Sequence, residues 1–242
     1  MLKQVVKAIL PKCLKEKLIT IKNSYFDGYA LKSYSQEGED MVLRRLFEKQ
    51  KTGFYVDVGA HHPKRFSNTF FFYKKGWSGI NIDAMPNSMK LFDKIRPRDI
   101  NLEVPISDKK QKLKYYMFNE PALNGFSKEL AEKRDGKDYK IISEKDMETS
   151  TLEEILEKHL PYGQEIDFLS VDVEGLDLQV LKSNNWKRFR PRIVLVEVLG
   201  SSIKEMANLK EYKYLSGFEY EIFAKTVNTV IFQKNDIKET LS

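Results

Sequence analysis

The run Phe54-Tyr55-Val56-Asp57-Val58-Gly59-Ala60-His61-His62-Pro63 constrains this chain more than any other stretch. Its first five residues have the apolar, β-branched and aromatic character of a buried strand, and Gly59 permits the sharp turn that follows. A second apolar run, Gly79-Ile80-Asn81-Ile82-Asp83, ends in an acid. Strand, tight turn and a second strand ending in a carboxylate make a nucleoside-binding corner. Backbone can approach the ligand at the turn, and the acid can accept both ribose hydroxyl hydrogen bonds. One glycine stands here where a dinucleotide cradle carries three. A nucleoside cofactor without a diphosphate fits better, which points to S-adenosylmethionine.

The length of 242 residues suits one α/β domain, at 34–242, with a small N-terminal attachment at 1–33. Periodicity predicts a helix from Glu39 to Lys49 and strands at 54–58, 79–83, 100–106, 167–172 and 193–198. Helices are expected at 66–75, 86–94, 151–159 and 176–183. Tyr220 to Ala224 and Thr229 to Phe232 read as an antiparallel pair around the Lys225–Asn228 turn. The fold class is therefore a doubly wound, mostly parallel sheet closed by a C-terminal antiparallel hairpin. Residues 107–150 are the least regular part and form an insertion. An insertion there lies near the C-terminal strand ends, where such sheets bind ligands, and is expected to be a substrate lid; the alternative is a solvated decorative loop.

Read in order, several motifs go together. Ser33-Tyr34-Ser35-Gln36-Glu37-Gly38-Glu39-Asp40 precedes the corner, and Phe66-Ser67-Asn68-Thr69 follows it. Gly76-Trp77-Ser78-Gly79-Ile80-Asn81-Ile82-Asp83-Ala84 and Ile166-Asp167-Phe168-Leu169-Ser170-Val171-Asp172-Val173-Glu174-Gly175 come next, and Arg190-Pro191-Arg192-Ile193-Val194-Leu195-Val196-Glu197 closes the series. From about Tyr34 to Phe232 the chain resembles the FkbM family of S-adenosylmethionine-dependent methyltransferases. That resemblance implies a class I methyltransferase (Rossmann-like) fold and O-methylation, often of sugars in secondary metabolites or surface glycans. Two other readings stay open: methylation of a non-sugar small molecule, and a non-catalytic, cofactor-binding scaffold in glycan assembly.

Three groups of residues are candidates for the chemistry. The cofactor group comprises Asp57 and Gly59 at the first turn, Asp83 with Ala84 at the ribose, and Ser107-Asp108 at the adenine edge. It also includes Asn68, placed for the methionyl carboxylate beside helix N–H donors, and Gln36 over the same pocket. Capping or loop-tying is the competing reading for Asn68 and Gln36. The second group is Asp172 and Glu174, with Glu197 on the neighbouring strand. Acids at i and i+2 of an extended backbone share a side, and gathering them is costly unless they bind a proton, ligand hydroxyls or a cation. The set offers a base or oxygen ligands for Mg²⁺, and the sequence does not choose; Asp172 is also expected to face the cofactor. The third group is His61-His62. His61, nearer the glycine, is the candidate base, and His62 is expected to fix the turn before Pro63.

Composition narrows the partners. A single cysteine, Cys13, excludes an internal disulfide and fits a reducing, cytoplasmic compartment. The net charge of +6 is concentrated in residues 1–22, which hold six lysines against Glu16. The rest is close to neutral, which argues against a nucleic-acid substrate. Leu2, Val5, Val6, Ile9, Leu10, Cys13, Leu14, Leu18 and Ile21 recur at roughly helical spacing, and Pro11 predicts a kink or two short helices. A basic amphipathic segment of this kind packs on protein or lies peripherally on the inner face of a membrane.

Overall fold

A computed structural model of the chain describes residues 11–26, 28–200 and 202–235. The chain divides into two units, Met1–Ser33 and Tyr34–Ser242. In the first, a helix runs over Lys12–Tyr25 with Pro11 at its N-cap and no buried residue. The part of the expected kink before Pro11 lies outside the described residues.

The second unit is built on a seven-stranded sheet. Its strands are β1 Phe54–Val58, β2 Ser78–Asp83, β3 Ile100–Glu103, β6 Phe168–Val171, β7 Ile193–Glu197, β8 Tyr220–Lys225 and β9 Thr229–Lys234. They lie in the order β3-β2-β1-β6-β7-β9-β8. β1 pairs in parallel with both β2 and β6, and β9 inserts antiparallel between β7 and β8. The near-continuous apolar runs at β1 and β7 fit strands buried on both faces. Val56, Val58, Ile80, Ile82 and Leu169 pack into one layer, while Tyr55, Phe72, Trp77 and Phe168 fill the other.

The helix expected at 66–75 is shorter, Phe70–Lys74. Phe66 adopts φ +54°, and the Ser67 hydroxyl accepts the Phe70 N–H, so a turn occupies the first four positions. The insertion is more ordered than its composition suggests. β4 Lys112–Phe118 and β5 Ile141–Glu148 form a separate antiparallel sheet, with a helix at Lys128–Arg134 between them. β5 escapes sequence reading because all but two of its eight residues are exposed, leaving little apolar alternation.

Beneath β1 lies a buried polar knot. Fully buried Arg96 donates to Asp99 at 2.8 Å, to the Tyr55 hydroxyl at 2.8 Å and to Thr69 Oγ1 at 3.0 Å. Thr69 in turn donates to Asp57 at 2.9 Å. A guanidinium with this many partners satisfies the desolvation requirement of a buried charge.

Candidate active site

The strand order reverses between β1 and β6, and the carboxyl ends of these strands open into a cavity of about 410 Å³. Gly59 shapes its floor. The residue has φ +85°, and a Cβ there would stand 1.6 Å from the Asp172 carbonyl oxygen. Only glycine lets the first turn lie against the end of β6. The next residue but one, His61, also has a positive φ of 51°. That conformation is held by Asp83, whose Oδ2 accepts the His61 N–H at 2.7 Å while Oδ1 accepts the Met85 N–H at 2.7 Å. Burial pushes the Asp83 carboxyl up to about 6, against the pull of those two backbone donors. Each oxygen keeps a further acceptor position, and the residue lines the cavity with Ala84.

Asp172, Glu174 and Glu197 also line the cavity, with one carboxylate oxygen from each within 4.8 Å of the others. Their route there differs from the expected one. β6 ends at Val171, and Glu174 has φ +54°, so a left-handed turn rather than an extended i, i+2 pair gathers them. Asp172 is exposed at the cavity, yet protein surrounds it on its other sides. Asp172 and Glu197 face each other within this group. Burial, followed by the neighbouring acids Glu174 and Asp177, raises Glu197 to about 8. Asp172 is raised well above the carboxylate range by burial and then by Glu197. Glu174 turns instead to Arg134, 2.6 Å away, an ion pair by distance although Glu174 Oε2 lacks an aligned hydrogen bond. The spacing of the three acids would let one divalent cation take an oxygen from each, with Arg134 as the competing partner of Glu174.

His61 has a lowered pKa, chiefly from burial and then from Arg65, and is neutral near pH 7. Its Nε2 is enclosed by protein with no hydrogen-bond partner, and its ring stacks on Phe66 at a centroid distance of 6.3 Å. His61 itself lines the cavity, so a proton taken from there would go to Nδ1, or to Nε2 once the ring turns. His62 fixes the turn as expected, its Nδ1 accepting the N–H groups of Lys64 at 3.0 Å and Arg65 at 2.9 Å.

Gln36 lines the cavity because its neighbours fasten the motif to the C-terminal hairpin. Glu37 accepts the Asn228 N–H at 2.7 Å and the Thr226 hydroxyl at 2.8 Å. Four expected cofactor residues lie elsewhere. Asp57 points into the opposite layer, toward Thr69 and Arg96, since alternate residues of a strand face opposite sides. Asn68 donates to Ser170 Oγ at 3.1 Å and stands before the helix rather than at its N-terminal donors. Ser107 is buried and donates to Asp108 at 3.2 Å, while Gln111 donates to both, so this pair ties the insertion's base. None of these four lines the cavity.

The structure adds residues that sequence reading missed. Tyr115 and Phe126 of the insertion pack ring to ring at 4.7 Å over the cavity, and Arg134 reaches Glu174 from the insertion helix. Arg65 and Glu120 pair at 3.2 Å between the first turn and the insertion. The expectation of a lid at 107–150 pointed to the segment, but nothing in its charged stretch singled out Arg134.

A mostly parallel sheet with an antiparallel strand inserted next to its edge, an acid ending β2 and a glycine turn at the switch point define a class I methyltransferase. The glycine cradle, the outward acceptor positions of Asp83 and the cavity volume fit S-adenosylmethionine as methyl donor. The family follows from the sequence: a model of the methyltransferase FkbM domain matches residues 57–216, and the chain belongs to that family. It is an S-adenosylmethionine-dependent methyltransferase. No curated protein matches the sequence. Among solved structures it is similar to PH1948 of Pyrococcus horikoshii, provisionally named an RNA methyltransferase, at 7% identity. That match covers 81% of this chain and 83% of the other, with a TM-score of 0.43.

Proposed function

We propose that the protein methylates a hydroxyl of a carbohydrate or glycoconjugate. The observation that carries this reading is the mix of acids and aromatic rings in the cavity lining. Glu120, Glu174 and Glu197 stand there beside the rings of Phe66, Phe126 and Tyr139. Carboxylates accept hydroxyl hydrogen bonds, and aromatic faces cover the C–H surface of a sugar ring. When bound, S-adenosylmethionine supplies an electrophilic methyl group for in-line displacement. The protein's own task is to hold the acceptor oxygen in line and to exclude water. Arg134 and the Tyr115–Phe126 pair serve that task by closing the insertion over the cavity. Incubation with labelled S-adenosylmethionine and a panel of neutral, amino and acidic glycans, with non-sugar hydroxyl compounds alongside, tests the reading. Label is expected in neutral or amino sugars; label confined to non-sugar compounds overturns it.

The second part of the proposal concerns location. Among the described residues no helix is long and apolar enough to cross a membrane. The helix Lys12–Tyr25 carries Lys12, Lys15, Lys17 and Lys22 against Glu16, with Leu14, Leu18 and Ile21 between them. Peripheral binding to an anionic surface suits this pattern, at about 1 kcal/mol per lysine near the surface. Full-length protein should sediment with anionic vesicles at low salt, and a chain beginning at Ser24 should not. Equal sedimentation of the two removes the membrane from the reading.

A further inference from the structure

We propose that the protein has a second ligand site, away from the catalytic cavity, which takes a small monoanionic carboxylate carried on an apolar body. The site is a cavity of about 400 Å³ between the end of the helix Glu39–Leu46 and the amino end of β7. The catalytic cavity opens instead at the carboxyl ends of the strands, and the two share no lining residue.

Arg192 is the anion-binding group of this cavity. Its Nη1 donates to Gln50 Oε1 at 2.8 Å and to Asp167 Oδ1 at 3.1 Å, and the guanidinium lies over the Phe47 ring, 5.3 Å from the centroid. These partners fix the plane of the group. Among the described residues nothing accepts a hydrogen bond from its Nε or Nη2. The side chain is 36% exposed, so this edge is not sealed in protein. Two parallel donors on one edge of a fixed guanidinium match the two oxygens of a carboxylate. Gln233 is the second polar group. It pairs in register with Ile193 and shares the face of β9 that carries Ile231, in the apolar layer with Phe47. A closed core holds hydrocarbon at such a position. Here the glutamine lines the cavity, is only 8% exposed, and has an Nε2 with no hydrogen-bond partner. A buried donor without an acceptor costs free energy, which an acceptor on a ligand recovers once the amide turns toward it.

Charge and shape narrow the ligand. The lining holds Arg45, Lys49 and Arg192 against Glu48. Arg45 pairs with Glu48 and Arg192 with Asp167, which leaves Lys49 without an ion pair among the described residues. A surplus of one positive charge suits a monoanion. A phosphate monoester, at about −1.5 to −2 near pH 7, brings more charge than the site balances. The apolar wall is Leu46, Phe47, Ile193 and Phe223. Phe223 sits where β8 slips register against β9, between Ile222 and Ala224, and a bulge of this kind re-aims a side chain. Its ring is left 43% exposed. An aryl or short alkyl body packs against these residues while its carboxylate meets Arg192 and Gln233.

Saturation-transfer NMR on the full-length protein tests the site. The probes are benzoate, 3-phenylpropanoate and octanoate, with 3-phenylpropanol and phenyl phosphate as the uncharged and more highly charged comparisons. At least one carboxylate is expected to bind with a Kd of about 1 mM or tighter, a range open to ligands this small. The alcohol and the phosphate are expected to bind about fivefold more weakly or worse, the worth of one hydrogen bond. Saturating S-adenosylhomocysteine should leave the carboxylate in place. Gln233→Leu removes the amide and keeps the volume, and Arg192→Lys keeps the charge and loses the fork. Each should weaken the carboxylate by about fivefold or more. Gln233→Leu should also melt no lower than wild type, since it takes an orphaned donor out of an apolar layer, so it decides alone should Arg192→Lys fail to fold. The variants locate the probe whether or not S-adenosylhomocysteine binds. Displacement by S-adenosylhomocysteine, equal binding of the alcohol or the phosphate, unchanged affinity in a folded variant, or binding by none of the carboxylates overturns the proposal.

Discussion

A methyl group on Gly59 would lie 1.6 Å from the carbonyl oxygen of Asp172. The first turn and the end of β6 are thus in backbone contact at the point where the cofactor must fit. Gly59→Ala meets both a backbone clash and a left-handed φ of +85°. Separation of these strands is expected to cost several kcal/mol, in line with the upper range of strained substitutions. A drop in melting temperature together with loss of S-adenosylhomocysteine binding by calorimetry is the expected result.

Asp83 has two tasks, and two substitutions separate them. Asp83→Ala removes the acceptors for the His61 and Met85 N–H groups as well as for the ribose. Hydrogen bonds to a charged group are worth roughly 1.5–3 kcal/mol each, so S-adenosylhomocysteine affinity should fall at least tenfold. Asp83→Asn keeps one carbonyl acceptor and should preserve more of the turn. Because the carboxyl of the ligand-free protein titrates at about 6, wild-type affinity should weaken as pH falls through that value. A pH-independent affinity between pH 5 and 7 would remove Asp83 from the ribose role.

Stability should run in the opposite direction with pH. Burial raises Asp83 and Asp177 to about 6 and Glu197 to about 8, all above their unfolded values. The native state then binds more protons than the unfolded chain, so these groups stabilise it fully only below roughly pH 4. Their contribution is lost as pH rises through 6 and then 8. The ligand-free protein is therefore expected to melt at a lower temperature at pH 8.5 than at pH 6.5. Glu197→Gln should flatten that slope and stabilise the protein at pH 8.5 by about 1–3 kcal/mol. Melting curves for both proteins across this range decide the point.

Arg96 supplies a prediction remote from the cavity floor. Its guanidinium is fully buried among Asp99, Tyr55 and Thr69. Removing one member of a buried pair leaves the other charge uncompensated, at a cost of about 3–5 kcal/mol. Arg96→Met should lose that much in urea unfolding, and adding Asp99→Asn should recover part of the loss. Simple additivity of the two substitutions would show that they are not energetically coupled.

The sheet was legible because its strands announce themselves locally. β1 matches its expected span, and β2, β7 and the closing hairpin are within two residues of theirs at each end, since buried strands are short apolar runs bounded by turns. Gly59 and Asp83 were legible for the same reason, as each ends such a run. Asp57 was not. Its place in the turn motif suggested the ligand, but strand alternation turns it toward Arg96, a partner 39 positions away that no local pattern indicates. Asn68 went astray because the helix after it starts only at Phe70.

What the sequence determined by itself is the order of elements, the family and the glycine–acid corner, all of them properties of contiguous residues. Tertiary structure alone decided which acids face one another. Asp172 and Glu197 come from different strands, Glu174 reaches them through a left-handed turn, and Arg134 arrives from a separate sheet-and-helix insertion. Whether a carboxyl keeps a proton depends on burial and on neighbours brought in from distant segments. Both are set only when the chain has folded.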